Sequence, residues 1–177
     1  MSEFVNILTE ERQGILYLTI NREDKLNAMN LATLEELRQV FDQVMDNKAI
    51  KGVILTGAGE KAFVAGADIS EIASLNEVNA RKFAESGQEI FAMIENCHKP
   101  VVAVTNGYTL GGGCELALAC DLRIGTPAAR VGQPELHAAG HHQIVFNQQK
   151  PHSKPPYARL FLYRALHLLL SRSYPTQ

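Results

Sequence analysis

Three consecutive glycines, Gly111-Gly112-Gly113, run directly into Cys114-Glu115-Leu116, shortly after the apolar segment Val101-Val102-Ala103-Val104-Thr105. A β-branched run that closes in Asn106-Gly107 reads as a strand, and the glycines open a predicted helix over Cys114–Ala119. Glycine at a helix start lets a reacting group approach the main chain, where unpaired N–H groups favour negative charge. Glu115 falls in the first turn of that helix. A carboxylate beside main-chain donors points to acid–base chemistry next to an anion hole.

The rest of the chain supplies the same alternation. Val5–Leu8 and Ile15–Ile20 read as two strands separated by the polar turn Glu10-Glu11-Arg12-Gln13-Gly14. Asn30 has the character of an N-cap for a helix carrying Leu34, Leu37, Phe41 and Val44 at helical spacing. Gly52–Gly57 is a buried-type strand closed by glycine. A second long helix is predicted from about Asn79 to Asn96, with Phe83, Ile90, Phe91 and Ile94 inward. Leu122-Arg123-Ile124 forms a short strand. Alternating strands and helices predict an α/β domain with parallel pairing, in which ligands bind beyond the carboxyl ends of strands. Val64-Ala65-Gly66-Ala67-Asp68 and Gly111–Gly113 both follow predicted strands, where a site belongs.

Composition narrows the function. With 177 residues and 46% hydrophobic content the chain can bury one core. A net charge of -2 provides no basic footprint for nucleic acid. Its apolar runs fall short of the ~20 residues a membrane span needs, and Met1-Ser2-Glu3-Phe4 lacks signal-peptide order. Cys97, Cys114 and Cys120 read as reduced thiols of a cytoplasmic protein, with no metal-type spacing. Four of the six histidines lie between His137 and His152, in a spacing that matches no zinc pattern, so no metal is expected.

Taken in order, the motifs resemble the crotonase superfamily, and within it the enoyl-CoA hydratases. They are Asn21-Arg22-Glu23-Asp24-Lys25-Leu26-Asn27-Ala28, Ala62–Ile69, Lys99-Pro100, Asn106–Leu116 and Gly132-Gln133-Pro134-Glu135. The resemblance implies a crotonase-like ββα spiral core over residues 1–135 and hydration of trans-2-enoyl-CoA to 3-hydroxyacyl-CoA. It implies an oxyanion hole from the N–H groups of Ala67 and Gly112, and an acid–base pair of Glu115 and Glu135. Lys25, Leu26 and Ala28 would line the opening for pantetheine and phosphates. Ala65, Gly66, Asp68 and Ile69, with Gly111, would flank the rest of the acyl-CoA thioester. No cofactor beyond that substrate is implied, and the assembly would be a homotrimer or dimer of trimers. Another crotonase-type isomerase or hydrolase, or an inactive coenzyme A-binding fragment, remains an alternative.

Residues 136–177 depart from the pattern. Members of the superfamily continue after Gly-Gln-Pro-Glu into a glycine-rich loop containing Ile-Ile and then a helical region that completes the acyl pocket. Here Leu136 leads into His137-Ala138-Ala139-Gly140-His141-His142 and a proline-rich stretch. His141-His142 can be encoded CAT CAT, and that sequence read one base later begins ATC, an isoleucine codon. The expectation is an atypical or out-of-frame tail, with low turnover in the chain as it stands.

Overall fold

The computed structural model describes residues 4–133, so Glu135 and the tail lie outside the described residues. In chain order the elements are β1 (Ile7–Arg12), β2 (Ile15–Ile20), α1 (Leu31–Asp46), β3 (Gly52–Gly57), β4 (Ala62–Val64) and α2 (Ile69–Ile72). They continue as α3 (Glu77–Glu95), β5 (Val101–Thr105), β6 (Tyr108–Leu110), α4 (Gly112–Ala119), β7 (Leu122–Gly125) and β8 (Arg130–Gly132).

Two sheets result. The larger has the order β1-β2-β3-β5-β7, antiparallel at β1–β2 and parallel elsewhere; the smaller is β4-β6-β8, parallel throughout. From β3 onward each pair of strands makes one turn of a spiral. The first strand of each pair (β3, β5, β7) joins the large sheet, and the second (β4, β6, β8) joins the small one. The segments that leave the small sheet therefore emerge side by side: Ala65–Asp68 after β4, Gly111 and α4 after β6, Gln133 after β8.

Helical spacing drives the core. Leu34, Leu37, Val40, Phe41 and Val44 of α1 and Phe83, Ile90, Phe91 and Ile94 of α3 are buried in one cluster with Leu18, Leu55, Val101 and Ala103 of the large sheet. Each such side chain contributes about 1.5–3 kcal/mol on burial. The Asn30 side chain accepts the Thr33 N–H at 2.9 Å and starts α1 where its sequence places the cap.

Three expectations are corrected. β1 runs over Ile7–Arg12 rather than Val5–Leu8, and the turn contracts to Gln13 and Gly14, both at positive φ. At the sheet's edge only Ile7 need be buried, so the strand tolerates Glu10, Glu11 and Arg12. α3 begins at Glu77, because Asn76 caps it by accepting the Asn79 N–H at 2.9 Å. α4 begins at Gly112, two residues before the predicted start. The small sheet was not predicted, since strands of three residues are too short to show a period.

Candidate active site

Three segments meet at one end of α4. The first is the loop after β4. The second is residues 22–29, which fold over it through a short 3-10 turn at Glu23–Lys25 and two left-handed residues, Leu26 and Asn27. The third is the start of α4 itself. Asn27, fully buried, pins the second segment by donating to the carbonyls of Ala58 (2.9 Å) and Ala62 (2.8 Å) and accepting from the Arg22 N–H.

The first two segments are zipped together. Ala65 N–H donates to Leu26 at 3.1 Å, Met29 N–H to Gly66 at 2.8 Å, and Asp68 N–H to Met29 at 2.8 Å. This parallel bridge of Met29 with Ala67 uses the groups on either side of Ala67 and leaves its own N–H without an acceptor among the described residues. At the helix, Gly111 serves as N-cap with φ 51°, a left-handed conformation that a side chain would strain. Gly113 permits the close approach of α4 to β4, since a Cβ there would overlap the Val64 carbonyl. The N–H groups of Cys114 and Glu115 both donate to Gly111, at 2.9 and 3.1 Å, whereas that of Gly112 has no acceptor among the described residues.

Gly112 and Ala67 are neighbours. A Cβ built on Gly112 would lie 4.0 Å from the Ala67 nitrogen and 3.1 Å from the Met29 methyl. Two unpaired main-chain donors this close can serve one oxygen.

Glu115 is 2% exposed, and neither carboxyl oxygen has a hydrogen-bond partner among the described residues. Burial pushes its pKa from 4.5 up to about 8. That rise corresponds to about 5 kcal/mol against ionisation. The positive end of α4 opposes it by at most about 2 kcal/mol, so desolvation wins. At neutral pH the carboxyl keeps its proton and can give it up. Burial likewise raises the Cys114 thiol to about 11, which removes it as a competing nucleophile.

The remaining predicted residues gather around this point with different exposures. Lys25 is exposed, Leu26 is 38% and Ile69 81% exposed; Ala28 and Ala65 are half-buried and Gly66 is buried. The Asp68 carboxylate is engaged within the protein. It accepts from Arg22 Nη2 at 2.9 Å and from the Ser70 N–H and hydroxyl at 3.1 and 2.5 Å. The Ser70 hydroxyl and the Arg22 guanidinium outweigh burial and hold it down to about 2. Glu135 lies outside the described residues. Sequence reasoning quoted Arg22 in the first motif without giving it a role and missed Met29, the groups that hold the first two segments together; their partners are distant in sequence.

A profile of the enoyl-CoA hydratase/isomerase family matches residues 10–148, most of the chain and further along it than Glu135. The chain belongs to that family. It is 47% identical over 134 residues to a short-chain-enoyl-CoA hydratase from Clostridium acetobutylicum, covering 76% of this chain and 51% of that one. Identity to a crotonyl-CoA hydratase from Syntrophomonas wolfei is 45% over 133 residues, covering 75% and 51%. The crystal structure of an enoyl-CoA hydratase from Bacillus anthracis superposes with a TM-score of 0.71 at 42% identity, covering 73% and 50%. The crotonase-like α/β spiral is therefore the fold of this chain, which spans about half the length of the curated relatives it matches. Among the described residues no helix is long and apolar enough to cross a membrane, and no group of three His, Cys, Asp or Glu is placed to hold a metal ion.

Proposed function

We propose that this member of the hydratase/isomerase family acts on trans-2-enoyl-CoA thioesters by syn addition of water, giving 3-hydroxyacyl-CoA. The thioester oxygen accepts the N–H groups of Ala67 and Gly112, which stabilise the negative charge it gains as water adds to C3. Glu115 and Glu135 act as a pair carrying one proton. The ionised carboxyl takes a proton from the attacking water while the protonated one delivers its proton to C2, so charge and atoms balance. Burial of Glu115 supplies that single proton at neutral pH.

The observation that carries the reading is the buried carboxyl of Glu115, without a hydrogen-bond partner among the described residues and one turn into the helix that starts at Gly112, beside Ala67. Glu135 is supported by connectivity. Gly111 N–H donates to the Gly132 carbonyl at 3.1 Å, and the three residues from Gly132 to Glu135 span at most about 11 Å. Lys25 suits a coenzyme A phosphate, and the exposed Leu26 and Ile69 suit its pantetheine arm. The reading includes no metal or redox cofactor and a homotrimer or dimer of trimers in the cytoplasm.

The test incubates the 177-residue chain at high concentration with crotonyl-CoA and follows 3-hydroxybutyryl-CoA by mass spectrometry. Slow hydration is expected, lost on Glu115→Gln. Hydration that survives that substitution overturns the assignment. Turnover of 3-enoyl-CoA in place of crotonyl-CoA would assign isomerisation instead.

A further inference from the structure

Both proposed donors belong to main chain, so their aim depends on whatever holds the two segments in register. One residue touches both. Met29 is 2% exposed, and its N–H and C=O pair with Gly66 and Asp68 on either side of Ala67, at 2.8 Å each. Its side chain runs to the other donor. Apart from the glycine's own chain neighbours and helix backbone, the described atoms within 4 Å of a Cβ built on Gly112 are the Met29 methyl and the Ala67 nitrogen. The main chain of Met29 thus brackets one N–H, and its terminal methyl lies beside the glycine that carries the other.

The position of Met29 is itself locked. Arg22 Nη1 donates to the carbonyl of Ala28, the residue before Met29, and Nη2 donates to Asp68, the residue after Ala67, at 2.9 Å. The guanidinium staples the two chains across the bridge, and Ser70 holds the other oxygen of Asp68. Because that carboxylate stays ionised down to about pH 2, the staple persists throughout the neutral range.

We infer that Met29 is a positioning residue of the thioester site, setting the separation of the Ala67 and Gly112 N–H groups, with the Arg22–Asp68 pair holding it in place. The inference rests on the functional reading above. A linear, deformable side chain suits such a spacer, because it fills the gap without a branch that would press on the helix. Leucine conserves core volume but ends one bond short, so it removes the reach to Gly112 while sparing the packing.

The experiment uses the full chain and butyryl-CoA labelled with 13C at the thioester carbonyl, a saturated ligand that cannot be hydrated. Infrared difference spectroscopy reads the carbonyl stretch, which falls when hydrogen bonds polarise the bond. The wild type is expected to lower it. Met29→Leu should keep the thermal unfolding midpoint, and the dissociation constant within about twofold, yet lose at least half of the band shift. Misplacement of this kind costs about 10- to 100-fold in kcat with little change in KM. Asp68→Asn, which removes the charge that anchors Arg22 while keeping the side chain's shape, should move the band in the same direction. A Met29→Leu chain with the full wild-type band shift and kcat overturns the inference. So does an Asp68→Asn chain that alters only the dissociation constant, since that marks direct contact with coenzyme A. A wild type with no band shift removes the thioester reading and this inference with it. Glu115→Gln should leave the shift intact, which separates failure of the acid–base assignment from failure of the donor geometry.

Discussion

Replacing Glu115 by glutamine tests the electrostatics of the site without any turnover. In the native chain this carboxyl holds its proton up to about pH 8; in the unfolded chain it returns to the ordinary 4.5. Between those values the native state carries one more proton than the unfolded state. Stability therefore falls as pH rises through the window, by about 1.4 kcal/mol per pH unit and about 5 kcal/mol in all. Against a typical domain stability of about 5–15 kcal/mol, that is a large share. Glutamine matches the shape but cannot ionise, so whatever its unpaired amide costs is independent of pH. Asp68 loses its stabilising ion pair only as pH falls toward 2, outside the window. Urea unfolding of both chains at pH 5, 6, 7 and 8, at constant ionic strength, gives the difference curve. The variant should gain on the wild type at each step, most steeply above pH 5. A flat difference from pH 5 to 8 would mean that the carboxyl is hydrated or paired, and the desolvation argument would be wrong.

Further outcomes follow from the same geometry. Gly113→Ala forces a Cβ into the Val64 carbonyl and should cost about 3 kcal/mol of stability, read as a lowered urea midpoint. Lys25→Ala should raise KM for crotonyl-CoA by up to about fivefold, the range of an exposed ion pair, while leaving KM for the N-acetylcysteamine thioester unchanged. An equal rise for both substrates would remove Lys25 from phosphate recognition. Sequencing the gene through codon 136 should reveal, one or two bases out of frame, codons for a glycine-rich loop beginning near Ile-Ile. Their absence would dismiss the frame-shift account of residues 136–177.

The long elements were legible because their burial is periodic. The stripe Leu34, Leu37, Phe41, Val44 and the continuous apolar run of β3 announce a helix and a buried strand without reference to anything distant. β4 fails that test. Ala62, Phe63 and Val64 are all buried, and three residues with no alternation do not distinguish a strand from a loop. β1 failed for the opposite reason, an exposed edge that tolerates charge. At the site, Glu115 and the glycines could be read because their neighbours in sequence are their neighbours in space. The Arg22–Asp68 pair joins residues 46 apart, and Met29 lies beside Gly112 from a segment distant in sequence. Such partners emerge only once the chain has closed on itself.

The spiral also sets the order in which the molecule can become competent. Val53 pairs with Val101, and Val102 with Leu122, so each parallel strand waits for a long excursion of chain to return. Loops of this length close slowly relative to local helix formation. The Ala67 N–H is set in place by one turn of the spiral and the Gly112 N–H by the next, so the two come together only once both turns are stacked. If the proposed thioester reading holds, a bound thioester is a clock for folding: its carbonyl band should appear late, after helical signal has developed, when two independently closed turns first share a ligand.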